Sequence, residues 1–257
     1  MKVVKNSDIN GILVIDKPKD MTSFTVDSMI KKELNCLKVG HAGTLDPFAT
    51  GVLPVLINKA TKIQDKLINI PKSYEGAFKI GVSTNTLDVS GIEVDKKQVS
   101  GSEIANIADY LSKLKGDFTQ KIPMFSAKKF KGVPLYKYAR KNIDIGSIYG
   151  DKKTGVVNIY DFEVKSYDNA FIYFKCSVSK GTYVRAIAQD IMDKFNIPAH
   201  LFSLRRTSAG GFDIYEALPF ESLTKGVDFM IENIVQVHSH RIINNNDDIS
   251  ITKYNNI

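Results

Sequence analysis

The chain has no tryptophan and only two cysteines and four histidines among its 257 residues. Cys36 and Cys176 lack the CxxC spacing of a zinc or redox site, so they are predicted to be reduced core residues. The histidines are scattered along the chain, and no metal site is indicated. No run of about 18 apolar residues is present, so no membrane-spanning helix is predicted.

A secretion signal is also missing from the first residues. They contain one short apolar run, GILVI, and no small-residue cleavage site, which predicts a first strand and a cytoplasmic protein. Arginine is scarce, with 5 arginines against 30 lysines. The net charge of +7 suggests a polyanionic partner without proving one. The few arginines are the candidates for planar, bidentate ion pairs, which lysine cannot form.

The hydrophobic pattern predicts an α+β (mixed α/β) fold. Strands are predicted at 11–16, 73–82, 156–164 and 170–179, and helices at 22–34, 60–67, 100–114 and 181–195. Residues 52–57 are either a strand or a buried turn-rich segment, because a proline interrupts them. Strands outnumber helices and several are adjacent in sequence, so we expect a mixed, mostly antiparallel sheet with helices packed on it.

Basic residues concentrate between residues 121 and 141, where KIPMFSAKKFKGVPLYKYARK interleaves lysines with aromatics. This mixture is typical of phosphate contact combined with base stacking, as in the recognition of looped RNA. A solvated face on a core-packed segment has the same composition. The sequence leaves both interpretations open.

The stretch GHAGTLDPFATG, residues 40–51, places one carboxylate, Asp46, among glycines and small residues. Pro47 favours an extended or turn conformation at Asp46. Gly43 and Gly51 would allow a ligand to approach the backbone closely. An Asx-type turn would explain the same residues without any chemistry.

This stretch closely resembles the central motif of the TruB family of tRNA pseudouridine synthases. Five further blocks match in family order over roughly residues 10–215: GILVIDKPKDMTS, Lys72-Ser73-Tyr74, IPMFSAKKFKGVPLYKYAR, SKGTYVRAIAQDI and HLFSLRRT. The resemblance implies the pseudouridine synthase fold around a central RNA-binding cleft. It also implies that the T-loop uridine at position 55 of tRNA is isomerised to pseudouridine without a cofactor.

The resemblance also assigns the catalytic residues. Asp46 is the catalytic nucleophile, which attacks the sugar or the base while the glycosidic bond breaks. Arg185 pairs with it, which would keep the carboxylate ionised in a pocket that excludes water. Tyr74 stacks on the target base and is a candidate proton acceptor. An exposed helix arginine and a core aromatic are the plain alternatives for Arg185 and Tyr74.

Substrate-binding residues follow from the same resemblance. His41 lies by the T-loop and helps to hold the flipped base, Tyr183 lines the pocket, and Leu204 packs against the base. Extruding a base costs a few kcal/mol of stacking, so the protein has to offer substitute surfaces. The remaining predicted RNA contacts are Lys17, Lys128, Lys129, Lys131 and Arg140.

The chain departs from the family at two places. Asn85 stands where the family commonly has the first acid of Thr-Asp-Thr-x-Asp, although Asp88 remains. About 50 residues follow the last matching block, which predicts a catalytic domain over 1–232 and a short tail over 233–257, with the C-terminal PUA domain absent or vestigial. The expected partner is the T-stem-loop of tRNA, with no membrane and no obligate protein partner, and the expected state is a monomer.

Three other functions compete with this one. The chain could be a tRNA-binding folding helper whose catalysis is incidental, or an enzyme that works inside a guide-RNA particle. The second normally relies on a PUA domain and protein partners. A glycosidase would need two carboxylates at a defined separation, and only Asp46 stands out.

Overall fold

The computed structural model describes residues 6–126, 128–139, 141, 143, 154–239 and 249–252. The chain forms two compact units, Met1–Lys72 with Arg206–Ile257, and Ser73–Arg205. In the described part, no helix is both long and apolar enough to cross a membrane. Cys36 and Cys176 are buried free thiols, as predicted.

The secondary structure alternates strands with short helices. The strands are β1 (Gly11–Lys17), β2 (Val39–His41), β3 (Thr50–Ile57), β4 (Lys72–Ile80), β5 (Val82–Thr84), β6 (Glu93–Lys96), β7 (Gly116–Lys121), β8 (Lys129–Phe130), β9 (Val133–Pro134), β10 (Thr154–Tyr167), β11 (Phe171–Val178), β12 (Ala199–Ala209), β13 (Phe212–Asp213), β14 (Leu218–Pro219), β15 (Gln236–Ser239) and β16 (Ile249–Thr252). The α-helices are α1 (Ser23–Glu33), α2 (Gln64–Asn69), α3 (Gly101–Ser112), α4 (Leu135–Ala139), α5 (Ala186–Phe195) and α6 (Val227–Glu232), with 3₁₀ turns at Asn58–Ile63, Ile214–Glu216 and Phe220–Lys225.

In the first unit, the strand order is β14-β1-β3-β12, with β2 on β3 and β13 on β12. β1 and β3 are antiparallel, with Ile12 opposite Leu56 and Val14 opposite Pro54. Residues 52–57 are therefore a strand, which settles the question that the proline had left open. The Pro54 carbonyl accepts a hydrogen bond from the Ala42 amide at 2.9 Å, so β3 holds the start of the loop that leads to Asp46.

Helix α1 covers one face of this sheet. Thr22 is its N-cap, and its hydroxyl accepts a hydrogen bond from the Thr25 amide at 3.0 Å. Val26, Ile30 and Leu34 recur at helical spacing and are buried against β1 and β3. The apolar stripe and the cap therefore fix which side of α1 faces the core.

In the second unit, the strand order is β12-β4-β11-β10-β7. The predicted hairpin between β10 and β11 is confirmed, because Asp168 accepts hydrogen bonds from the amides of Ala170 and Phe171, both at 2.8 Å. The predicted capping box of Ser100 and Glu103 starts α3, as expected.

The helix predicted at 181–195 begins later, at Ala186. Gly181 has φ +81°, and the Tyr183 amide donates to Gln120 Oε1 at 2.9 Å instead of entering a helical ladder. A tertiary hydrogen bond thus overrides the local helical pattern. Arg185 becomes the residue before the helix, and its side chain is 3% exposed rather than solvated.

Packing of the first unit continues past residue 232. Val235 exchanges two backbone hydrogen bonds of 2.9 Å with Ile12 in β1, and Ile234 is buried in the core beside α1. β15 follows and pairs with β16. This part of the predicted tail therefore contributes to the sheet and to the core.

Candidate active site

The loop between β2 and β3 carries Asp46 in a half-buried position. The Leu45 amide donates to the Ser23 hydroxyl at 2.9 Å, on one side of Asp46. On the other side, the Pro47 carbonyl accepts from the Asp20 amide at 2.8 Å. The residue before Asp46 is therefore anchored to the first residue of α1, and the residue after it to the chain that joins β1 to α1.

Lys17, at the end of β1, is fully buried. Its ammonium donates to the carbonyls of Pro18 and Met21, both at 2.7 Å, and of Pro47 at 3.2 Å. Burial, together with the positive charge of Arg206, lowers the pKa of Lys17 to about 8. Because the three donors of an ammonium are used here, the structure places Lys17 as an anchor of the Asp46 loop. The direct RNA contact expected from the sequence does not fit this position.

Arg206, in β12, is also fully buried and anchors both ends of the Asp46 loop. Its Nη2 donates to the Gly43 carbonyl at 2.9 Å, and its Nε donates to the Val52 carbonyl at 2.8 Å. Gly51 has φ +107°, and a Cβ there would lie 2.2 Å from the Arg206 carbonyl oxygen. The sequence analysis missed this role of Arg206, although the scarcity of arginine pointed to specific tasks for each one.

His41 lies at the start of the same loop with 18% of its side chain exposed. Its Nδ1 is 2.7 Å from Asp27 Oδ2 of α1, and its Nε2 is 2.9 Å from the Thr44 hydroxyl. Both ring nitrogens are engaged, so the ring face is what His41 has left for a base. This geometry suits stacking rather than acid–base work.

In the second unit, Arg185 is held by three groups. Its Nη2 donates to the Phe125 carbonyl at 2.7 Å, its Nη1 donates to the Thr86 carbonyl at 3.4 Å, and its Nη1 is 3.6 Å from Asp88 Oδ2. Asp88 is itself buried and accepts from the Ser90 amide at 2.9 Å. Asp88 therefore provides a negative charge beside a buried guanidinium, a role that its sequence position alone did not define.

The other predicted pocket residues also belong to the second unit. Tyr74 in β4 and Leu204 in β12 are 7% and 8% exposed. The ring of Tyr183 lies 5.9 Å from the Arg185 guanidinium carbon. Asp46, His41 and Lys17 belong to the first unit. The pairing of Asp46 with Arg185 stays a prediction from the resemblance.

The basic segment, residues 121–141, has features of both interpretations that the sequence left open: an RNA-contacting surface, and a solvated face on a core-packed segment. Its lysines with a predicted RNA contact are exposed: Lys128, Lys129 and Lys131. Two of its aromatics are packed instead, because Phe130 and Tyr138 lie 6.2 Å apart, edge to face, beside buried Ile122 and Leu135. The segment thus offers cations to solvent and uses these rings for packing. Arg140 lies outside the described residues.

The sequence of the chain is similar to those of known proteins. The sequence model of the TruB family pseudouridylate synthase (N terminal domain) matches residues 31–184. A tRNA pseudouridine synthase B from Clostridium tetani is 37% identical over 217 residues, covering 84% of this chain and 73% of that protein. The protein of the same name from Blochmanniella pennsylvanica is 41% identical over 211 residues, covering 82% of this chain and 79% of that protein.

Solved structures agree on the fold. An H/ACA RNP bound to a substrate RNA containing 2'-deoxyuridine matches with a TM-score of 0.60 and 25% identity, over 84% of this chain and 52% of that one. A Cbf5-Nop10-Gar1 complex matches with a TM-score of 0.63 and 24% identity, over 91% of this chain and 66% of that one. The expected pseudouridine synthase fold is confirmed. With the loop motif, the anchored carboxylate and these relatives in agreement, the chain belongs to the TruB family of pseudouridylate synthases.

Proposed function

We propose that this enzyme isomerises the T-loop uridine at position 55 of tRNA to pseudouridine, with no cofactor. The observation that carries the proposal is the Asp46 loop, whose backbone is anchored on both sides by Ser23, Lys17 and Arg206. A rigid loop positions a carboxylate for attack at low entropic cost. The relatives named tRNA pseudouridine synthase B supply the substrate class.

In the proposed reaction, Asp46 attacks the ribose or the base of the flipped uridine. The N-glycosidic bond breaks, the uracil turns, and carbon 5 joins the ribose as the bond to Asp46 breaks again. The proton on carbon 5 then leaves, and nitrogen 1, which has left the ribose, gains a proton. Arg185 holds Asp46 in its ionised form, because a nearby positive charge opposes the effect of burial on a carboxylate. Tyr74 stacks on the uracil and takes the carbon 5 proton.

The RNA is held by the remaining predicted residues. His41 offers a ring face to the T-loop, while Tyr183 and Leu204 surround the flipped base. Exposed lysines contact phosphates: Lys128, Lys129 and Lys131. We expect the enzyme to act as a monomer in the cytoplasm, where its tRNA substrate is found.

The test is pseudouridine mapping on unmodified tRNA, by carbodiimide labelling and primer extension. The parent protein is compared with Asp46→Asn, which keeps the side-chain shape, and with Asp109→Asn on the exposed face of α3 as the matched control. We expect modification at the T-loop uridine by the parent and by the control, and none by Asp46→Asn. No modification by the parent, with RNA binding intact, would reject the proposal in favour of the folding-helper function.

A further inference from the structure

A groove of about 480 Å³ runs along α1 on the first unit. Phe24, Asp27, Ser28, Lys31 and Lys32 line it at helical spacing, so they share one side of the helix. None of these residues is in the family motif around Asp46. The groove is therefore a surface whose chemistry the proposed reaction does not explain.

Phe24 is 74% exposed, so its ring contributes little to the core. Lys31 and Lys32 are also exposed, in the last turn of the helix. The helix dipole stabilises cations in the last turn. It does not account for an exposed aromatic ring in the first turn. Phe24 and Lys31 are separated by about 10 Å along the helix axis. That span suits a base stacked on the ring and a phosphate beside the lysines.

Asp27 adds a hydrogen-bond acceptor to the same groove. The residue is 7% exposed, and its Oδ2 is 2.7 Å from His41 Nδ1. Its Oδ1 is buried and accepts no hydrogen bond from the described residues. A buried carboxylate oxygen without a donor is unfavourable. A ribose 2'-hydroxyl or a base amino group would supply the missing donor.

We propose that the α1 groove binds a ribonucleotide of the tRNA substrate, with its base on Phe24 and its phosphates beside Lys31 and Lys32. The proposal rests on the proposed function, because it takes the occupant to be the same tRNA. The positive charge of Lys31 and Lys32 at the groove favours RNA over a basic partner such as a lysine-rich peptide. The hydrogen bond between Asp27 and His41 connects this groove to the loop that carries Asp46.

The experiment compares two groove variants with two matched controls. Phe24→Ala is paired with Tyr215→Ala, since Tyr215 is 95% exposed. The double variant Lys31→Ala, Lys32→Ala is paired with Lys113→Ala, Lys115→Ala, which removes the same charge from the end of α3. The Kd for unmodified tRNA is measured at several salt concentrations, and the single-turnover rate is measured at saturating enzyme. Asp27 is left intact because it also holds His41.

We expect Phe24→Ala to raise the Kd about tenfold with an unchanged salt dependence. The double variant Lys31→Ala, Lys32→Ala should raise the Kd by a similar factor. It should also lower the slope of log Kd against the log of the salt concentration by about two. The Kd of each control variant should stay within about twofold of the parent's Kd. The single-turnover rate at saturating enzyme should not change.

Groove variants that bind tRNA like their controls would overturn the proposal. So would variants that change the elution volume of the protein without changing the Kd for tRNA, because the groove would then bind a second copy of the chain. If the parent forms no pseudouridine, the proposed function fails, while the Kd comparison still tests the groove.

Discussion

Lys17 keeps a buried ammonium next to the loop that carries Asp46, and its titration has a consequence for stability. Its pKa is lowered from 10.5 to about 8 in the folded protein, by burial and by the charge of Arg206. Between these values the unfolded chain binds more protons than the folded one. The free energy of unfolding therefore rises with pH in this window, and the cost of burying the charge is present in full below about pH 8.

Comparison of the parent with the variant Lys17→Met isolates the contribution of Lys17 to the free energy of unfolding. From pH 8 to 10.5, the free energy of unfolding of the parent should rise relative to that of Lys17→Met by roughly 1–3 kcal/mol. Urea unfolding at pH 7, 8, 9 and 10 measures this difference, and subtraction removes the titration of the other lysines and tyrosines. A flat difference would contradict the buried ammonium.

His41 gives a second prediction for a single residue. The Asp27 carboxylate can accept a hydrogen bond from His41 Nδ1, and the Thr44 hydroxyl can donate one to His41 Nε2. The neutral imidazole of His41 should therefore carry its proton on Nδ1. In Asp27→Ala the proton should move to Nε2. Long-range ¹H–¹⁵N correlation spectra at alkaline pH distinguish the two tautomers. The same tautomer in both proteins would show that Asp27 does not orient the ring.

Among the elements, β12 passes so close to the start of β3 that position 51 requires a glycine. A Cβ on Gly51 would meet the Arg206 backbone, whereas a Cβ on Gly116 would meet nothing within 4 Å. Both have positive φ, +107° and +86°. Gly116→Ala should therefore cost about 1–2 kcal/mol from backbone strain alone. Gly51→Ala should cost at least about 3 kcal/mol, because the clash adds to the strain.

Urea unfolding of the two alanine variants tests this prediction, and the single-turnover rate shows whether the Asp46 loop has moved. Gly51→Ala should lower that rate, while Gly116→Ala should leave it near the parent's value. Equal losses of stability in the two variants would mean that β12 can move away from Gly51 without cost.

The elements also differ in how far the sequence predicted them. The start of α3 was predicted correctly because its capping box joins residues only three apart, Ser100 and Glu103. The start of α5 was predicted wrongly because the deciding bond joins Tyr183 to Gln120, far away in sequence. Local hydrogen bonds are visible in a pattern of residues, and distant ones are not.

For the whole molecule, the net charge of +7 makes RNA affinity depend on salt. If six or more phosphates are contacted, the Kd for tRNA should rise about a thousandfold between 50 and 200 mM salt. Filter binding with unmodified tRNA measures the slope, and an uncharged competitor polymer serves as the control for ionic effects. A Kd that does not change with salt would show that the positive charge is not used to bind RNA.

The sequence by itself determined the family, the α+β fold class and the position of the Asp46 motif. These depend on residue identity and on spacing along the chain, which a sequence states directly. It also identified Arg185 as a candidate and showed that the acid Asp88 remains in its stretch, but not that the two lie 3.6 Å apart beside the Phe125 carbonyl.

Only the tertiary structure decided what the buried charges do. Lys17 and Arg206 look like ordinary cations in the sequence, and both prove to be fully buried and bonded to carbonyls around the Asp46 loop. Whether a lysine meets RNA or a backbone carbonyl depends on which strands pack beside it. Burial and long-range hydrogen bonds are properties of that packing, so they could be read only from the folded chain.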